Sequence, residues 1–269
     1  MVKSTKPVAL VTGASSGIGA AYAERLARDG YDLIVVARRR GRLEELADRL
    51  RGEHSSSVRV LDADLGDAVD LRRVAQACAR QSRLEFVVNS AGFGGYKPFV
   101  ELTAAEADQL IALHVTAITR LTRASLAGMV ERGRRAIVNV ASLLAFSASL
   151  PAPPLPNRAV YAAAKSYIVT FSEIVASEVA NSGVHVQALC PGVVETEFHG
   201  IVGADVSHIP AMSPEDVVQA SLAGLRLREV ICAPGVADAN AVRTYTEART
   251  VLMGSALSRE LAPRYREPE

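Results

Sequence analysis

The sequence contains only three cysteines and lacks long apolar runs. Cys78, Cys190 and Cys232 are widely spaced, and they form neither a CxxC pair nor a metal-ligand pattern. This spacing excludes a disulfide-rich or zinc-binding framework and predicts reduced thiols. No stretch of about 18 apolar residues occurs, and the apolar run after the basic lead Met1 to Lys6 is too short for a signal peptide. We therefore expect a cytoplasmic protein with no membrane partner and no metal.

An excess of charge of one sign is also absent. Lys and Arg total 30, Asp and Glu total 29, and the formal net charge is +1. This balance gives no indication of a nucleic-acid partner. The length of 269 residues, with 49% of them hydrophobic, suffices for one large domain with a sizeable core. Because no linker interrupts the chain, we predict a single domain over residues 1–269.

Short runs rich in Val, Ile and Leu alternate with longer amphipathic stretches. The runs predict strands covered on both faces, at residues 7–12, 32–37, 58–62, 86–89, 136–140, 184–190 and 230–232. The stretches predict helices at residues 17–28, 42–51, 68–82, 104–132 and 161–182. This alternation predicts an α/β fold in three layers, with a doubly wound parallel sheet of the Rossmann type.

Two irregular stretches interrupt the alternation. Residues 147–158 contain four prolines, which excludes a regular helix or strand there. Residues 196–214 are mixed in composition and follow the predicted strand at 184–190, where a long loop is typical of a lid. We predict that substrate loops lie at about 143–160 and 196–214.

A glycine-rich segment, Thr12 to Gly19, links the first predicted strand to the first predicted helix. Glycines at this junction permit a tight turn and let the backbone approach a pyrophosphate, which then binds at the N-terminus of the helix. The strand before the segment and the helix after it favour phosphate binding over an ordinary turn. The candidate cofactor-binding residues here are Gly13, Ser15, Ser16, Gly17, Ile18 and Gly19.

The spacing TGxxxGxG resembles the motif that opens the short-chain dehydrogenase/reductase family, whose members bind a nicotinamide dinucleotide. Two further segments match this family in place and order. Asp64 and Leu65 close the third strand, where the family's Asp faces the adenine, and residues 89–92 resemble the NNAG motif after the fourth strand. The resemblance runs from Pro7 to Gly235. It adds to the candidate cofactor site Asp64, Leu65, Asn89, Ala91 and Gly92.

The end of the second strand indicates which dinucleotide binds. An NAD-selective site has a carboxylate there that accepts hydrogen bonds from the ribose 2′-hydroxyl. Ala37 stands in that place, and the guanidinium groups of Arg38 and Arg39, which follow it, are suited to a 2′-phosphate. The sequence therefore favours NADP(H), with an exposed basic turn as the alternative.

Tyr161 and Lys165 are one helical turn apart on one face of the helix predicted at 161–182. A phenol with an ordinary pKa near 10 is a poor acid–base catalyst at neutral pH, and a nearby ammonium lowers that pKa. A lone YxxxK is common in helices, but this one resembles the family's catalytic motif in position. The resemblance implies that Ser142 holds the substrate oxygen and Tyr161 exchanges its proton. It also implies that Lys165 binds the nicotinamide ribose.

The segment after the sixth strand, Pro191 to Thr196, resembles the family's PGxxxT motif. The resemblance implies that this segment orients the nicotinamide ring through the backbone near Val194 and the hydroxyl of Thr196. The residues that complete the candidate cofactor site are Pro191, Gly192, Val194 and Thr196, together with Tyr161 and Lys165.

Two features depart from the family's pattern. His114 stands where the family has an asparagine whose backbone carbonyl continues a proton relay from the lysine. We consider two roles for it, a member of that relay and a packed histidine without a role. Ser142 and Tyr161 are 19 residues apart, a wider spacing than the family usually has. Ser147 and Ser149 lie at more usual distances from Tyr161, but the strand pattern that precedes Ser142 favours Ser142.

These residues predict an NADPH-dependent reductase or dehydrogenase that acts on a ketone, aldehyde or secondary alcohol. The alternative is a non-catalytic NADP(H)-sensing or scaffold protein on the same fold. Apolar loop residues favour a hydrophobic substrate, namely Phe93, Tyr96, Phe99, Phe146, Leu150, Leu155, Phe198 and Ile201. The proline-rich segment 150–157 resembles an insertion that reshapes this pocket. By resemblance, the helices at 104–132 and 161–182 pair across a two-fold axis, which predicts a homodimer or homotetramer.

Overall fold

The computed structural model describes residues 5–133, 135–198, 209–257 and 259–266. The chain divides into two compact units, Met1–Gly235 and Val236–Glu269. Among the described residues, the first unit contains the complete sheet, and the second contains one α-helix and a short 3-10 helix. A single domain over all 269 residues stays a prediction.

Seven parallel strands form one sheet in the order β3-β2-β1-β4-β5-β6-β7. All five residues of β1 are buried, because helices cover both faces of the sheet. This confirms the predicted doubly wound α/β fold of the Rossmann type. The strands are β1 Val8–Thr12, β2 Asp32–Ala37, β3 Val58–Asp62, β4 Leu84–Asn89, β5 Arg135–Val140, β6 Val184–Leu189 and β7 Ile231–Cys232.

Eight α-helices are described: α1 Gly17–Arg28, α2 Arg40–His54, α3 Ala68–Arg80, α4 Ala104–Ile111, α5 Ile118–Arg132, α6 Ala159–Glu178, α7 Pro214–Leu227 and α8 Ala239–Ser255. The helix predicted at 104–132 has the observed bounds, but its middle turns, Ala112–Ala117, are π-helical and separate α4 from α5. Helices α7 and α8 are not among the predicted elements. Residues 147–158 form neither helix nor strand, as predicted.

The core lies on both faces of the sheet. Tyr22, Leu26 and Leu43 pack on one face, and Leu121 and Met129 pack on the other. All five side chains are fully buried, and such burial stabilises the fold by about 2 kcal/mol for each side chain. No helix in the described part of the chain is long and apolar enough to cross a membrane.

The strand order reverses between β1 and β4, and open α/β sheets bind ligands beyond the carboxyl ends of the strands at such a point. Thr12 fixes this junction. Its Oγ1 accepts hydrogen bonds from the backbone N–H groups of Ser90 at 3.0 Å and Ala91 at 3.1 Å. The end of β1 and the segment after β4 are therefore held together where the glycine-rich segment begins.

Candidate active site

A cavity of about 1120 Å³ lies at the carboxyl ends of the strands. It brings together Ser142, Tyr161 and Lys165, three of the four candidate catalytic residues; the fourth is His114. The predicted cofactor-binding residues that also line it are Gly13, Ser15, Ser16, Gly17, Ile18, Arg38, Arg39, Asp64, Leu65, Ala91, Gly92, Pro191, Gly192, Val194 and Thr196. Gly19, Asn89 and His114 are not among the lining residues.

Two glycines explain the shape of the loop between β1 and α1. Gly13 has a φ of +69°, and a Cβ there would lie 2.9 Å from the Cα of Ala91. A Cβ on Gly19 would lie 2.4 Å from the carbonyl oxygen of Gly13. Gly13 therefore permits the turn beside β4, whereas Gly19 permits α1 to pack closely against the loop.

The N-terminus of α1 is suited to an anion. The N-cap residue, Ser16, makes no side-chain hydrogen bond to the helix, and the first turn contains no acidic residue. The first backbone N–H groups of α1 and the positive end of its dipole therefore face the cavity. The hydroxyls of Ser15 and Ser16, the open N–H groups and the nearby guanidinium groups fit a pyrophosphate.

Arg38 and Arg39 have different surroundings. The Arg38 side chain is 73% exposed, and its Nη1 lies 3.8 Å from a carboxylate oxygen of Asp64. Arg39 donates from Nη2 to Ser15 Oγ at 3.0 Å and to Ser16 Oγ at 2.7 Å. Arg39 is therefore fixed against the glycine loop, whereas Arg38 remains largely open to solvent.

Sequence reasoning missed Glu197, which connects two arginines near the loop. Its carboxylate accepts from Arg39 Nη1 at 2.7 Å and from Arg42 Nη1 at 2.6 Å. Hydrogen bonds from Arg39 and Arg42 hold the pKa of Glu197 below its ordinary value. We call this arrangement the Glu197 bridge. The bridge joins the segment after β6 to the start of α2. No local sequence motif predicts these contacts.

Asn89 faces away from the cavity. Its Nδ2 donates to Oδ1 of Asn139 at 2.8 Å, and Asn139 Nδ2 donates to Ser172 Oγ at 3.0 Å. The side chain of Asn89 is only 2% exposed. The structure therefore places Asn89 in a buried network that joins β4, β5 and α6. A direct contact between its side chain and a cofactor stays a prediction.

Tyr161 lies at the centre of the apolar part of the cavity and is 5% exposed. The rings of Tyr96 and Tyr161 meet edge to face at 5.4 Å, and Ser142 lines the same cavity. Burial and then the neighbouring Tyr96 phenol raise the pKa of Tyr161 well above its ordinary value, while the nearby Ser142 hydroxyl acts in the opposite direction. The predicted lowering of this pKa is wrong, because desolvation dominates.

Lys165 is buried one turn after Tyr161. Burial lowers the pKa of its ammonium to about 7. Its Nζ donates to the carbonyl oxygen of Val140 at 2.8 Å and lies 5.5 Å from the centre of the Tyr161 ring. The side chain is thus held by the end of β5 and points toward the cavity near Tyr161.

His114 lies in the π-helical segment and is fully buried. Its Nε2 is 2.8 Å from the carbonyl oxygen of Phe93, and its ring meets the Tyr161 ring edge to face at 5.5 Å. Burial, followed by the charge of Lys165, lowers the pKa of His114 to about 3. Because a carbonyl only accepts, Nε2 of this neutral ring carries the proton. Nδ1 has no hydrogen-bond partner among the described residues.

The structure distinguishes the three candidate serines. Ser142 lines the cavity, and its Oγ accepts from the backbone N–H of Leu144 at 3.2 Å. Ser147 is buried, and its hydroxyl donates to the carbonyl oxygen of Leu144 at 2.7 Å. Ser149 is exposed. Of these three serines only Ser142 lines the cavity, so its position favours Ser142 as the serine that would hold the substrate oxygen.

The substrate end of the cavity has aromatic and proline-rich walls. Of the predicted apolar residues, those that line it are Phe93, Tyr96, Leu155 and Phe198. Phe99, Phe146 and Leu150 do not line it, and Phe99 and Leu150 are exposed to solvent. The insertion contributes Pro154, Leu155 and Pro156. The centre of the predicted lid, with Ile201, lies outside the described residues.

Comparison with known proteins gives consistent matches. The sequence model of a family described as short chain dehydrogenase matches residues 7–206. A short-chain dehydrogenase from Sphingobium yanoikuyae, solved in complex with NADPH, is 39% identical with a TM-score of 0.90, over 97% of this chain and 100% of that chain. The bulky-bulky ketone specific alcohol dehydrogenase from Comamonas testosteroni is 33% identical with a TM-score of 0.87, over 98% of this chain and 100% of that chain. D-threitol dehydrogenase from Mycolicibacterium smegmatis is 36% identical over 71% of each chain.

Proposed function

Because this chain belongs to the short-chain dehydrogenase/reductase family of oxidoreductases, we propose that it is an NADPH-dependent reductase of hydrophobic ketones. The observation that supports this most directly is the buried phenol of Tyr161, which shares with Ser142 a cavity that continues to Arg38 and Arg39. A proton donor and a dinucleotide cradle thus share one cavity.

The charges at the dinucleotide end of the cavity are complementary to those of NADPH. The N-terminus of α1 and the hydroxyls of Ser15 and Ser16 would bind the pyrophosphate, and Arg38 with Arg39 would bind the 2′-phosphate. Asp64 and Leu65 would contact the adenine side. Pro191, Gly192, Val194 and Thr196 would hold the nicotinamide side. NADP(H)-containing structures of relatives, such as the Sphingobium enzyme, support this choice.

The proton chemistry of this proposal belongs to the chain's own residues. The raised pKa keeps Tyr161 protonated at neutral pH, so that its hydroxyl can donate to a substrate oxygen. Ser142 would hold that oxygen beside the phenol. Lys165 would bind the nicotinamide ribose and stabilise negative charge that develops on Tyr161. When bound, NADPH supplies the two electrons of the reduction.

The walls of the cavity support a hydrophobic substrate. Tyr96, Leu155 and Phe198 offer apolar surface and few hydrogen-bond partners for a free sugar. The relatives include both a bulky-bulky ketone specific alcohol dehydrogenase and a polyol dehydrogenase. The apolar lining favours the first of these two substrate classes for this chain.

A non-catalytic NADP(H) sensor is the second candidate, and it rests on His114. This neutral, buried ring replaces the family's asparagine, so the relay that feeds Lys165 differs in composition. As a relay member, His114 would have its unpartnered Nδ1 available to a water molecule. As a packed side chain, it would only support the Tyr161 ring. Turnover by the protein excludes the sensor.

Two properties of the molecule as a whole are also proposed. Tyr167 and Ile174 on α6 are 36% and 54% exposed, which suits the pairing of α5 and α6 with a second copy in a homodimer or homotetramer. The three cysteines are buried and unpaired, which suits a reducing, cytoplasmic environment.

The test is NADPH oxidation by the purified protein, followed by the loss of NADPH absorbance with a panel of aldehydes, aryl ketones, diketones and steroid-like ketones. NADH is run in parallel. We expect turnover with NADPH and a hydrophobic ketone, and little turnover with NADH. Turnover mainly with NADH contradicts the cofactor assignment, and NADPH binding without any turnover favours the sensor.

A further inference from the structure

A single side chain holds the proline-rich insertion in place. Arg158 donates from Nε to Ser147 Oγ at 2.7 Å and from Nη1 to the carbonyl oxygen of Pro156 at 2.9 Å. Its Nη2 donates to the carbonyl oxygens of Ser147 at 2.7 Å and Leu150 at 2.8 Å. These four bonds join the two ends of the insertion through one planar guanidinium group.

No carboxylate pairs with Arg158 in the described part of the chain. Its partners are instead three carbonyl oxygens and one hydroxyl, and all four belong to the segment 147–156. Four donors in a fixed plane require four acceptors in fixed places. The conformation of the insertion and the orientation of Arg158 therefore determine each other.

Hydrogen bonds connect Arg158 to the segment that holds Ser142, and its place in the chain brings it close to Tyr161. Ser147, which accepts from Arg158, donates to the carbonyl oxygen of Leu144, and the N–H of Leu144 donates to Ser142 Oγ. On the other side, Arg158 is the N-cap residue of α6, three residues before Tyr161. Arg158 thus lies between the substrate wall and the two groups that hold the substrate oxygen.

We propose that Arg158 is a positioning residue for substrate selection, because it fixes the wall formed by Pro154, Leu155 and Pro156. A fixed wall favours a bulky hydrophobic ketone, which fills the cavity and contacts the insertion. A small ketone does not reach the insertion and gains nothing from it. The inference rests on the proposed ketone reductase function and specifies which part of the chain selects the substrate.

The experiment compares Arg158→Ala and Arg158→Lys with Arg72→Ala, a control at an exposed arginine on α3. Steady-state kinetics use NADPH with a diaryl ketone and with cyclohexanone. For Arg158→Ala we expect kcat/KM for the diaryl ketone to fall about tenfold, mostly through KM, since a displaced wall misplaces the substrate. For cyclohexanone, and for the NADPH Kd, we expect less than about a twofold change.

Chemical rescue separates positioning from general damage to the fold. Added methylguanidinium should restore the diaryl ketone kcat/KM of Arg158→Ala toward the wild-type value, because it supplies the same planar donors. Arg158→Lys should remain impaired, because one ammonium cannot reach four acceptors in that arrangement. Wild-type kinetics for Arg158→Lys, or equal losses with both ketones, would overturn the proposal.

Hydrogen–deuterium exchange tests the wall without turnover. The N–H groups of Ser147 and Leu150 are bonded to the carbonyl oxygens of Leu144 and Ser147 at 3.2 and 3.0 Å. In Arg158→Ala their exchange should rise at least about tenfold, while exchange within β5 stays unchanged. Unchanged exchange would refute the role of Arg158. If the wild-type protein reduces neither ketone while this exchange rises, the reductase function fails and the structural role of Arg158 stands.

Discussion

The two ends of the cavity are built in different ways. The dinucleotide end consists of the glycine loop, Arg38 and Arg39, all directly attached to the ends of β1 and β2. The substrate end consists of Tyr96, Phe198 and the insertion, which lie far apart in the chain. Neighbouring strands position the first end through the sheet, whereas side-chain contacts, such as those of Arg158, position the second. A change at one end should therefore leave the other largely intact.

Tyr161→Phe should give the largest effect, and only at the substrate end. Removal of the hydroxyl takes away the proton donor, so turnover should fall about a thousandfold, within the range for general acid catalysis. The NADPH Kd, measured by cofactor fluorescence, should stay within about twofold of wild type because the ring remains.

The matched control is Tyr167→Phe on the same helix. The Tyr167 hydroxyl lies 2.8 Å from Thr119 Oγ1, away from the cavity, and its removal should leave turnover unchanged. Retention of turnover in Tyr161→Phe would show that another group donates the proton.

Arg38→Ala should damage the opposite end. Loss of a guanidinium that binds the 2′-phosphate should weaken NADPH binding about a hundredfold, because charge-assisted hydrogen bonds are strong. NADH binding should hardly change. Isothermal titration with both dinucleotides measures this difference directly.

Arg40→Ala serves as the control, since Arg40 pairs with Glu44 and Asp62 and does not line the cavity. Equal weakening of NADPH and NADH by Arg38→Ala would contradict its assignment to the 2′-phosphate.

His114→Asn tests how the buried ring beside Tyr161 affects the stability of the protein at acidic pH. The folded state keeps His114 neutral down to a pKa of about 3, whereas the unfolded chain protonates it near 6.5. The unfolded state therefore binds more protons between these values, and the free energy of unfolding falls as the pH falls. Between pH 6.5 and pH 5 the contribution of His114 to the free energy of unfolding falls by about 2 kcal/mol. His114→Asn should abolish this pH-dependent loss.

Urea unfolding of the wild-type protein and of His114→Asn at the two pH values measures the effect. An unchanged acid loss in His114→Asn would mean that other groups cause the pH dependence.

Glu197→Gln should give the smallest effect, and it tests how independent the two ends are. The Glu197 bridge ties the segment after β6 to Arg39, so its carboxylate competes with a phosphate for that guanidinium. Exposed ion pairs contribute little, so NADPH should bind only about threefold more tightly in Glu197→Gln. Titration with NADPH measures this, and Glu195→Gln, at an exposed neighbour, should have no effect. Weaker binding in Glu197→Gln would show that the bridge retains the cofactor.

The strands of the sheet were predictable because burial on both faces requires nearly continuous apolar runs in the sequence. The predicted ranges of β2 and β3 are the observed ones, and the other strands differ by at most two residues at an end. The π-helical segment 112–117 was not predictable, since one extra residue in a turn hardly alters the apolar pattern. Helix α7 did have a signal, namely Ser213, whose Oγ accepts from the N–H of Asp216, followed by Pro214.

The candidate site was predictable where a motif acts through its backbone conformation. It was less predictable where the function of a residue depends on the orientation of its side chain. Gly13 and Ser16 line the cavity as their motif implies. Asn89 turns inward because Asn139 offers it a buried partner 50 positions later. Arg158 and Glu197 lack a motif altogether, since their partners are carbonyl oxygens or distant arginines. The raised pKa of Tyr161 follows from burial, which the YxxxK pattern does not specify.

The position of β1 in the sheet affects how the protein folds during its synthesis. This first strand lies between β2 and β4, and its register pairs Val11 with Val35 on one side and Val88 on the other. A nascent chain that ends before β4 leaves one edge of β1 unpaired, a strand that is fully buried in the folded protein, and such edges promote aggregation. The central pair also joins segments distant in sequence, which makes folding slow. Expression at lower temperature, or with chaperones that shield this edge, should therefore raise the yield of folded protein.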